Sequence, residues 1–305
     1  MYNQDKIEEL QEILKQDSQD FQTRRELAML LSENGFAKEA LQHLLYLAKI
    51  FENDGNIFYN LGIVYEKLKD LDNAINSYKK AVELSPGETD FYYNLGLVYI
   101  DKKMYEEAID CMENVLQQDK DDSNAYFSIG LCYFKEKKWE GAKYYFERTT
   151  ELNDDDLYAH FYIGNILKDA GDLNGAKKKF EKVLELSPDY SWAYFNIASI
   201  YYEQGDFNSA LENLQKTLEL NPKDYAAYEI YAKILIKTDK PDEAADILEI
   251  AQVQGAGGGN FYYTRAQVEK LLNNKENCNK YLDLAIKNYK TLSVSIQKVQ
   301  SEKIV

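Results

Sequence analysis

The sequence predicts an all-α solenoid of paired helices, and three observations carry that prediction. A small residue recurs every 34 residues, at Ala28, Gly62, Gly96, Gly130, Gly164, Ala198, Ala232 and Ala266. A second small column follows at the same period, through Ala40, Ala74, Ala108, Ala142, Ala176, Ala210, Ala244 and Cys278, with no insertion or deletion along the way. Within each period two apolar runs have helical spacing. In residues 55–88 the first run holds Phe58, Leu61, Gly62 and Tyr65, and the second Ala74, Tyr78 and Ala81. Small residues let two helices approach, and large ones fill the space beside them. Pro86 then stops the second helix, because it has no N–H and disfavours helix in the residue before it. Pro188 and Pro222 recur at its phase.

Taken in order, residues 1–20 predict a lone N-terminal capping helix. Ile7, Leu10, Ile13 and Leu14 sit one period before Leu41, Leu44, Leu47 and Ala48. That helix is either a cap or the remnant of an upstream repeat, since an end face of a solenoid has no neighbour to cover it. The eight periods run 21–54, 55–88, 89–122, 123–156, 157–190, 191–224, 225–258 and 259–292. The eighth is irregular: Arg265 and Glu269 take phases that hold apolar residues elsewhere, and their i,i+4 spacing would let them pair. A glycine-rich run, Gly255 to Gly259, precedes it and predicts a hinge, because glycine carries backbone freedom. Ile296 and Val299 predict a C-terminal capping helix or tail over 293–305.

The pattern of residues 58–86, aromatic–x2–Leu–Gly–x2–Tyr followed by a spaced Ala pair and a Pro, resembles the tetratricopeptide repeat (TPR). Tyr92, Leu95, Gly96, Tyr99 and Ala108 follow it closely, as do Tyr126, Ile129, Gly130, Tyr133, Ala142 and Phe146. The resemblance covers residues 21–292. It implies a right-handed superhelix whose first helices line a concave, ligand-binding face.

Composition narrows the class of partner. Asp and Glu number 52 against 36 Lys and Arg, a net charge of −16. Nucleic acid requires a basic stripe, and an anionic membrane repels such a chain. The N-terminal run is charged and amphipathic without an apolar core, so it does not read as a secretory signal. Nor does any stretch reach the ~18 apolar residues of a membrane span. These features place the chain in the cytoplasm, with no membrane insertion and no nucleic-acid partner. The three cysteines are widely spaced and predict no disulfide. Cys132 and Cys278 take core phases, whereas Cys111 falls in a mixed column and is expected at the surface.

The expected binding residues follow from phase. One first-helix column holds Tyr59, Tyr93, Phe127, Phe161 and Phe195, breaks at Glu229 and resumes at Tyr263. The next holds Asn60, Asn94 and Asn196. A third runs Ile63, Leu97 and Leu131 before turning polar at Asn165, and Ile100 and Phe134 extend its apolar part. Two readings of the aromatic and Asn columns stand at this level: packing between repeats, or a partner-binding groove in which carboxamides hold a peptide backbone. The aliphatic run is the less expected of these features, and an apolar strip of this kind marks an interaction site. The family's carboxylate clamp is missing, because aromatics occupy its lysine phase.

No catalytic, metal or cofactor pattern emerges. His160 takes an aromatic core phase, and His43 stands alone on a second helix. Asn153 to Asp156 lacks the glycine and terminal glutamate of a calcium loop, and helix capping explains it better. The sequence therefore predicts a non-enzymatic, cofactor-free scaffold that binds a peptide or helix of a partner protein in the groove. Self-assembly through the terminal helices is one alternative. An adaptor or chaperone for a secretion or assembly machine is another.

Overall fold

The computed structural model describes residues 2–304, which form eighteen α-helices and one 3-10 turn. Among the described residues there is no strand, and no helix is long and apolar enough to cross a membrane. The chain divides into two compact units within one helix, between Ala159 and His160. The first unit holds α1 (Tyr2–Gln16) and four helix pairs. These are α2 (Phe21–Glu33) with α3 (Ala37–Ile50), α4 (Gly55–Lys67) with α5 (Leu71–Leu84), α6 (Thr89–Asp101) with α7 (Tyr105–Gln118), and α8 (Ser123–Lys135) with α9 (Trp139–Leu152). Helix α10 (Leu157–Asp169) carries the division. The second unit continues with α11 (Leu173–Leu186), α12 (Ser191–Gln204) with α13 (Phe207–Leu220), and α14 (Tyr225–Lys237) with α15 (Pro241–Val253). It ends with α16 (Gly259–Leu271), α17 (Lys275–Lys287), a turn at Tyr289–Thr291 and α18 (Ile296–Ser301).

The two small columns are buried, and each first-helix residue of that column faces a second-helix residue sixteen positions on. Gly62, Gly96, Gly130 and Gly164 face Tyr78, Met112, Phe146 and Phe180. A Cβ on Gly130 would lie 2.8 Å from the Phe146 ring, and one on Gly164 2.8 Å from Phe180. Ala28, Ala198, Ala232 and Ala266 have Leu44, Leu214, Leu248 and Leu282 at the matching position, all buried. Where the large residue is a ring or Met the small one is Gly; where it is Leu the small one is Ala. Close packing tolerates such volume-conserving exchanges and resists extra methyl groups.

The turn inside each pair is also uniform. Gly35, Gly171 and Gly205 have φ of +87°, +86° and +79°, and Lys69, Lys103, Lys137, Asp239 and Asn273 hold the same phase with φ between +57° and +62°. Glycine adopts this left-handed region freely, whereas lysine adopts it at a cost. Helix starts account for a recurring part of the acidity. Asp20, Asp54, Asp70, Asp122, Asp172, Asp206 and Asp224 each accept a backbone N–H at an N-cap. Asp156 accepts from the Ala159 N–H at 2.8 Å, which gives the acidic run 153–156 a capping role.

Several local expectations are corrected. Cys111 is buried, not exposed, and burial pushes its thiol up to about 12. His43 is not alone, because the Arg24 guanidinium lies 3.1 Å from its Nδ1. Arg265 does not close on Glu269. Its guanidinium lies over the Tyr281 ring, 5.0 Å from the centroid, and its Nη1 has no partner among the described residues. The glycine run, the expected hinge, is hydrogen-bonded at both ends. Tyr225 Oη donates to the Gln254 carbonyl at 2.8 Å, and the Gly259 N–H donates to Thr291 Oγ1 at 2.6 Å. Gly255 and Gly258 have φ of +102° and +101°, and a Cβ on Gly259 would stand 2.7 Å from the Asn288 carbonyl. These glycines answer to turn geometry and close approach.

At the ends of the chain, Leu10 and Leu14 of α1 share a core with Leu27, Leu31 and Leu44. Val299 of α18 is buried against Tyr263, Tyr281 and Leu282. The Asn279 carboxamide grips both backbone groups of Ile304 at 2.9 Å.

Candidate functional site

The first-helix columns separate into residues used for packing and residues left open. In the first unit Tyr59 stacks on Phe91, with centroids 4.5 Å apart, and leans on the buried Tyr78 at 5.7 Å. Its hydroxyl accepts from Asn94 Nδ2 at 2.9 Å, and Asn94 also donates to the Asp90 carbonyl. Burial and the neighbouring carboxylates push the Tyr59 hydroxyl pKa up. Tyr78 in turn donates to Glu66, whose carboxyl is raised by burial and held back by that bond. Phe127 packs on Phe146 at 5.4 Å, and Phe134 meets Trp139 and Phe146. Tyr59 and Asn94 join α4 to α6, whereas Phe127 and Phe134 pack within their own helix pair. Tyr93 and Asn60 are half-buried beside them.

The aliphatic column differs. Leu97 is exposed, Ile63, Leu131 and Ile100 are half-exposed, and Met29 one period earlier is exposed as well. Lys67, close by on α4, is spent on Ser32, donating to its carbonyl at 2.8 Å and its hydroxyl at 3.1 Å. The partly open residues at this phase of α4, α6 and α8 are therefore apolar, with Leu97 the most exposed and Ile63 and Ile100 also packed in part against the core.

In the second unit a cavity of about 390 Å³ is lined by Phe161, Asn165, Tyr190, Trp192, Phe195 and Asn196. Phe161 rests edge-on against the buried Phe180 at 5.8 Å and against Tyr190 at 5.4 Å. Asn196 is buried, accepts from Lys168 Nζ and donates to the Trp192 carbonyl at 2.8 Å. Phe195 has the Trp192 ring beside it at 6.5 Å. At the aromatic phase one period on, Glu229 is half-buried; burial raises its carboxyl pKa, and Lys233 at 3.9 Å opposes that rise. Tyr263 closes that column inside the molecule. Burial and the hydrogen bond it donates to Glu302 push its hydroxyl up to about 12.

Tyr190 and Trp192 are the lining residues that the column reading passed over. Their signal was present as exceptions. Tyr190 stands at the N-cap phase held by Asp20, Asp54, Asp122, Asp156 and Asp224, and Trp192 at a phase held mostly by Gln, Asn or Asp.

Among the described residues no group of three or more His, Cys, Asp or Glu side chains could hold a metal ion. His160 is buried, with Lys179 Nζ 3.4 Å from its Nδ1.

Comparison with known proteins bears on the family. The family model described as Tetratricopeptide repeat matches residues 55–88 and 77–110. The model described as Anaphase-promoting complex, cyclosome, subunit 3 matches residues 101–178 and 169–251. A search of curated proteins found no match. Among solved structures, the chain is similar to YrrB, described as a TPR protein with an unusual peptide-binding site. The identity is 28%, over 60% of this chain and 95% of that one, with a TM-score of 0.51. It is similar to MamA from Desulfovibrio magneticus RS-1, at 25% identity over 56% of this chain and 97% of that one, with a TM-score of 0.53. PilF of Pseudomonas aeruginosa shares the fold, at 18% identity over 70% of this chain and 97% of that one, with a TM-score of 0.61.

Proposed function

The chain belongs to the tetratricopeptide repeat family, whose members mediate protein–protein interactions. From that premise we propose that it is a non-enzymatic scaffold that holds an extended peptide or amphipathic helix of a partner protein on the face of its first helices. The observation that carries the reading is the open aliphatic line of Ile63, Leu97 and Leu131, flanked by Ile100. These side chains lie on successive helices, where the aromatics beside them are already packed. An apolar strip of this kind takes the anchors of an amphipathic segment, and burial of each anchor contributes on the order of 1.5–3 kcal/mol. Similarity to a TPR protein described by its peptide-binding site adds support. Self-assembly through the ends has less, because residues of the 296–304 segment are engaged with Tyr263, Tyr281 and Asn279 of the same chain.

The test is capture of a partner from source lysate by the wild type beside a Leu97→Lys, Leu131→Lys variant of equal helicity. Both residues are open enough for lysine to be tolerated in the fold. A partner retained by the wild type and lost by the variant is the expected result. Equal capture by both would move the site off this face, and recovery of the protein itself alone would favour self-assembly.

A further inference from the structure

Exceptions to the repeat converge on one surface of the second unit, at α15, α16 and α17. Three earlier second helices carry an ion pair spaced i,i+3 on their surface, at one shared phase. These are Lys80 with Glu83 at 3.6 Å, Arg148 with Glu151, and Lys216 with Glu219 at 2.7 Å. At the same phase α15 carries Ile250 and Val253, which are 50% and 81% exposed. Arg265 stands at the phase of Leu61, Leu95, Ile129 and Ile197, and Gln252 at that of Val82, Leu116, Leu184 and Leu218. Arg265, Gln252 and Val253 line one cavity of about 360 Å³, together with Glu249 and Tyr281. Local choices that break the pattern without a packing return concentrate at functional sites.

Arg265 is the lining group most in need of a partner. It is 8% exposed and keeps its charge at any working pH, and an ion taken out of water without a partner is costly. The Tyr281 ring centroid lies 5.0 Å from its Cζ and attracts the charge, but it leaves the N–H donors unmet. No described residue accepts a hydrogen bond from Arg265. Its Nη1 is closed off from solvent, whereas Nε and Nη2 are not. The Glu249 and Gln252 side chains also make no hydrogen bond or ion pair with any described residue. The charges around the cavity balance. Lys280 Nζ lies 5.6 Å from the Tyr281 centroid, Glu249 is in the lining, and buried Glu269 follows Arg265 by one turn. A net cation would face Arg265 and Lys280, and a net anion would face Glu249 and Glu269. A neutral group with an acceptor beside a donor suits both Arg265 and Glu249, and the peptide group is such a pair.

We propose that this cavity receives the main chain of an extended aliphatic segment of a partner protein. A carbonyl of the segment accepts from the open guanidinium edge of Arg265, and an N–H of the segment donates to Glu249. The Gln252 carboxamide, with a donor and an acceptor of its own, serves the next peptide group. An aliphatic side chain of the segment covers Val253 and Ile250, whose apolar area now faces water. The seat goes beyond the scaffold reading above and uses no residue of the aliphatic line on α4, α6 and α8.

The test uses the full chain and small probes. N-acetyl-leucine N′-methylamide supplies two peptide groups and one aliphatic side chain. N-acetyl-leucinate is its anionic counterpart, leucine N-methylamide its cationic one, and isoamyl acetate a neutral carbonyl without an N–H. Each is titrated separately into protein labelled with ¹⁵N-arginine. The readout is the Nε–H resonance of Arg265, assigned by elimination from Arg24→Lys, Arg25→Lys and Arg148→Lys variants. The expected result is a saturable shift with the diamide, with an affinity at least threefold above that of every other probe. An Ile250→Lys, Val253→Glu variant rebuilds the ion pair of the earlier helices, so its melting temperature should not fall. It should weaken diamide binding threefold or more, and so should Glu249→Ala at its exposed helix position. Tighter binding of either charged probe would overturn the proposal in favour of a simple ion site. Equal binding of all four probes, or full binding by the rebuilt variant, would overturn the seat. No saturable response to the diamide would overturn it outright. The Leu97→Lys, Leu131→Lys variant should respond to the diamide as the wild type does. This seat and the aliphatic line therefore stand or fall separately.

Discussion

Two kinds of helix pair make up this chain, and the difference lies in one facing couple. Pairs two to five set Gly against Tyr, Met or Phe; pairs one, six, seven and eight set Ala against Leu. Both couples fill a similar volume, so the helices pack at the same phase without a gap. The first-helix columns show a consequence. Tyr59, Phe127 and Phe161 each lean on the second-helix ring of their own pair, at 5.7, 5.4 and 5.8 Å. Phe195, whose pair carries Leu214, lacks such a ring and pairs with the exposed Trp192. An aromatic column that looks continuous in sequence therefore meets two surroundings: Tyr59, Phe127 and Phe161 have a ring beneath them and Phe195 does not, and Phe161 and Phe195 both line the cavity.

The largest expected effect breaks one couple directly. Gly130→Ala places a methyl against Phe146 and should destabilise the protein by about 1–3 kcal/mol, as overpacking does. Phe146→Leu alone leaves a void and should also destabilise. The double variant recreates the couple of pairs six to eight, so its loss should fall well below the sum of the two. Urea denaturation of the four proteins in a double-mutant cycle measures that coupling. Additive losses would show that the Gly–ring and Ala–Leu couples are not alternatives.

Sequence revealed the pairs because a 34-residue period repeated without slippage fixes every phase, and burial follows phase. Ala74, Ala108, Ala142 and Ala176 are all fully buried, as their column requires. The aromatic column alone could not show which of its members have a ring beneath them, because that depends on the residue nineteen positions on. For Asn94 and Asn196 packing and a backbone-holding ladder both stand until their hydrogen bonds to Tyr59, Trp192 and Lys168 are seen. Tyr190 and Trp192 were missed for a different reason: a column search records what repeats, and these two residues matter because they do not.

A smaller effect sharpens the comparison at the turns. Pairs two to four place Lys69, Lys103 and Lys137 in the left-handed region, where pairs five and six place Gly171 and Gly205. No heavy atom lies within 4 Å of a Cβ built on Gly171, so Gly171→Ala isolates the backbone cost, and it should lose about 1 kcal/mol. Lys137→Gly should gain about half that, since relief of the side-chain strain is partly offset by chain entropy. Thermal melts of the two variants check the opposite signs.

The smallest expected effect concerns pair one, where His43 is half-buried beside Arg24. Burial lowers its pKa first and the Arg24 charge lowers it further, with Glu39 opposing. A histidine with a depressed folded pKa binds fewer protons folded than unfolded as pH falls below its ordinary value of 6.5. Its contribution is fully present above that value and is lost as pH falls through the folded pKa. His43→Gln keeps a group that can accept from Arg24 and removes the titration. The wild type should therefore lose more stability between pH 7 and pH 5 than the variant does, by less than either effect above. Parallel pH profiles would mean that the imidazole titrates as freely in the fold as in the unfolded chain. In that case Arg24 would be held by the hydrogen bond it donates to the Ser18 carbonyl at 2.9 Å and by its place 4.4 Å over the Tyr46 ring.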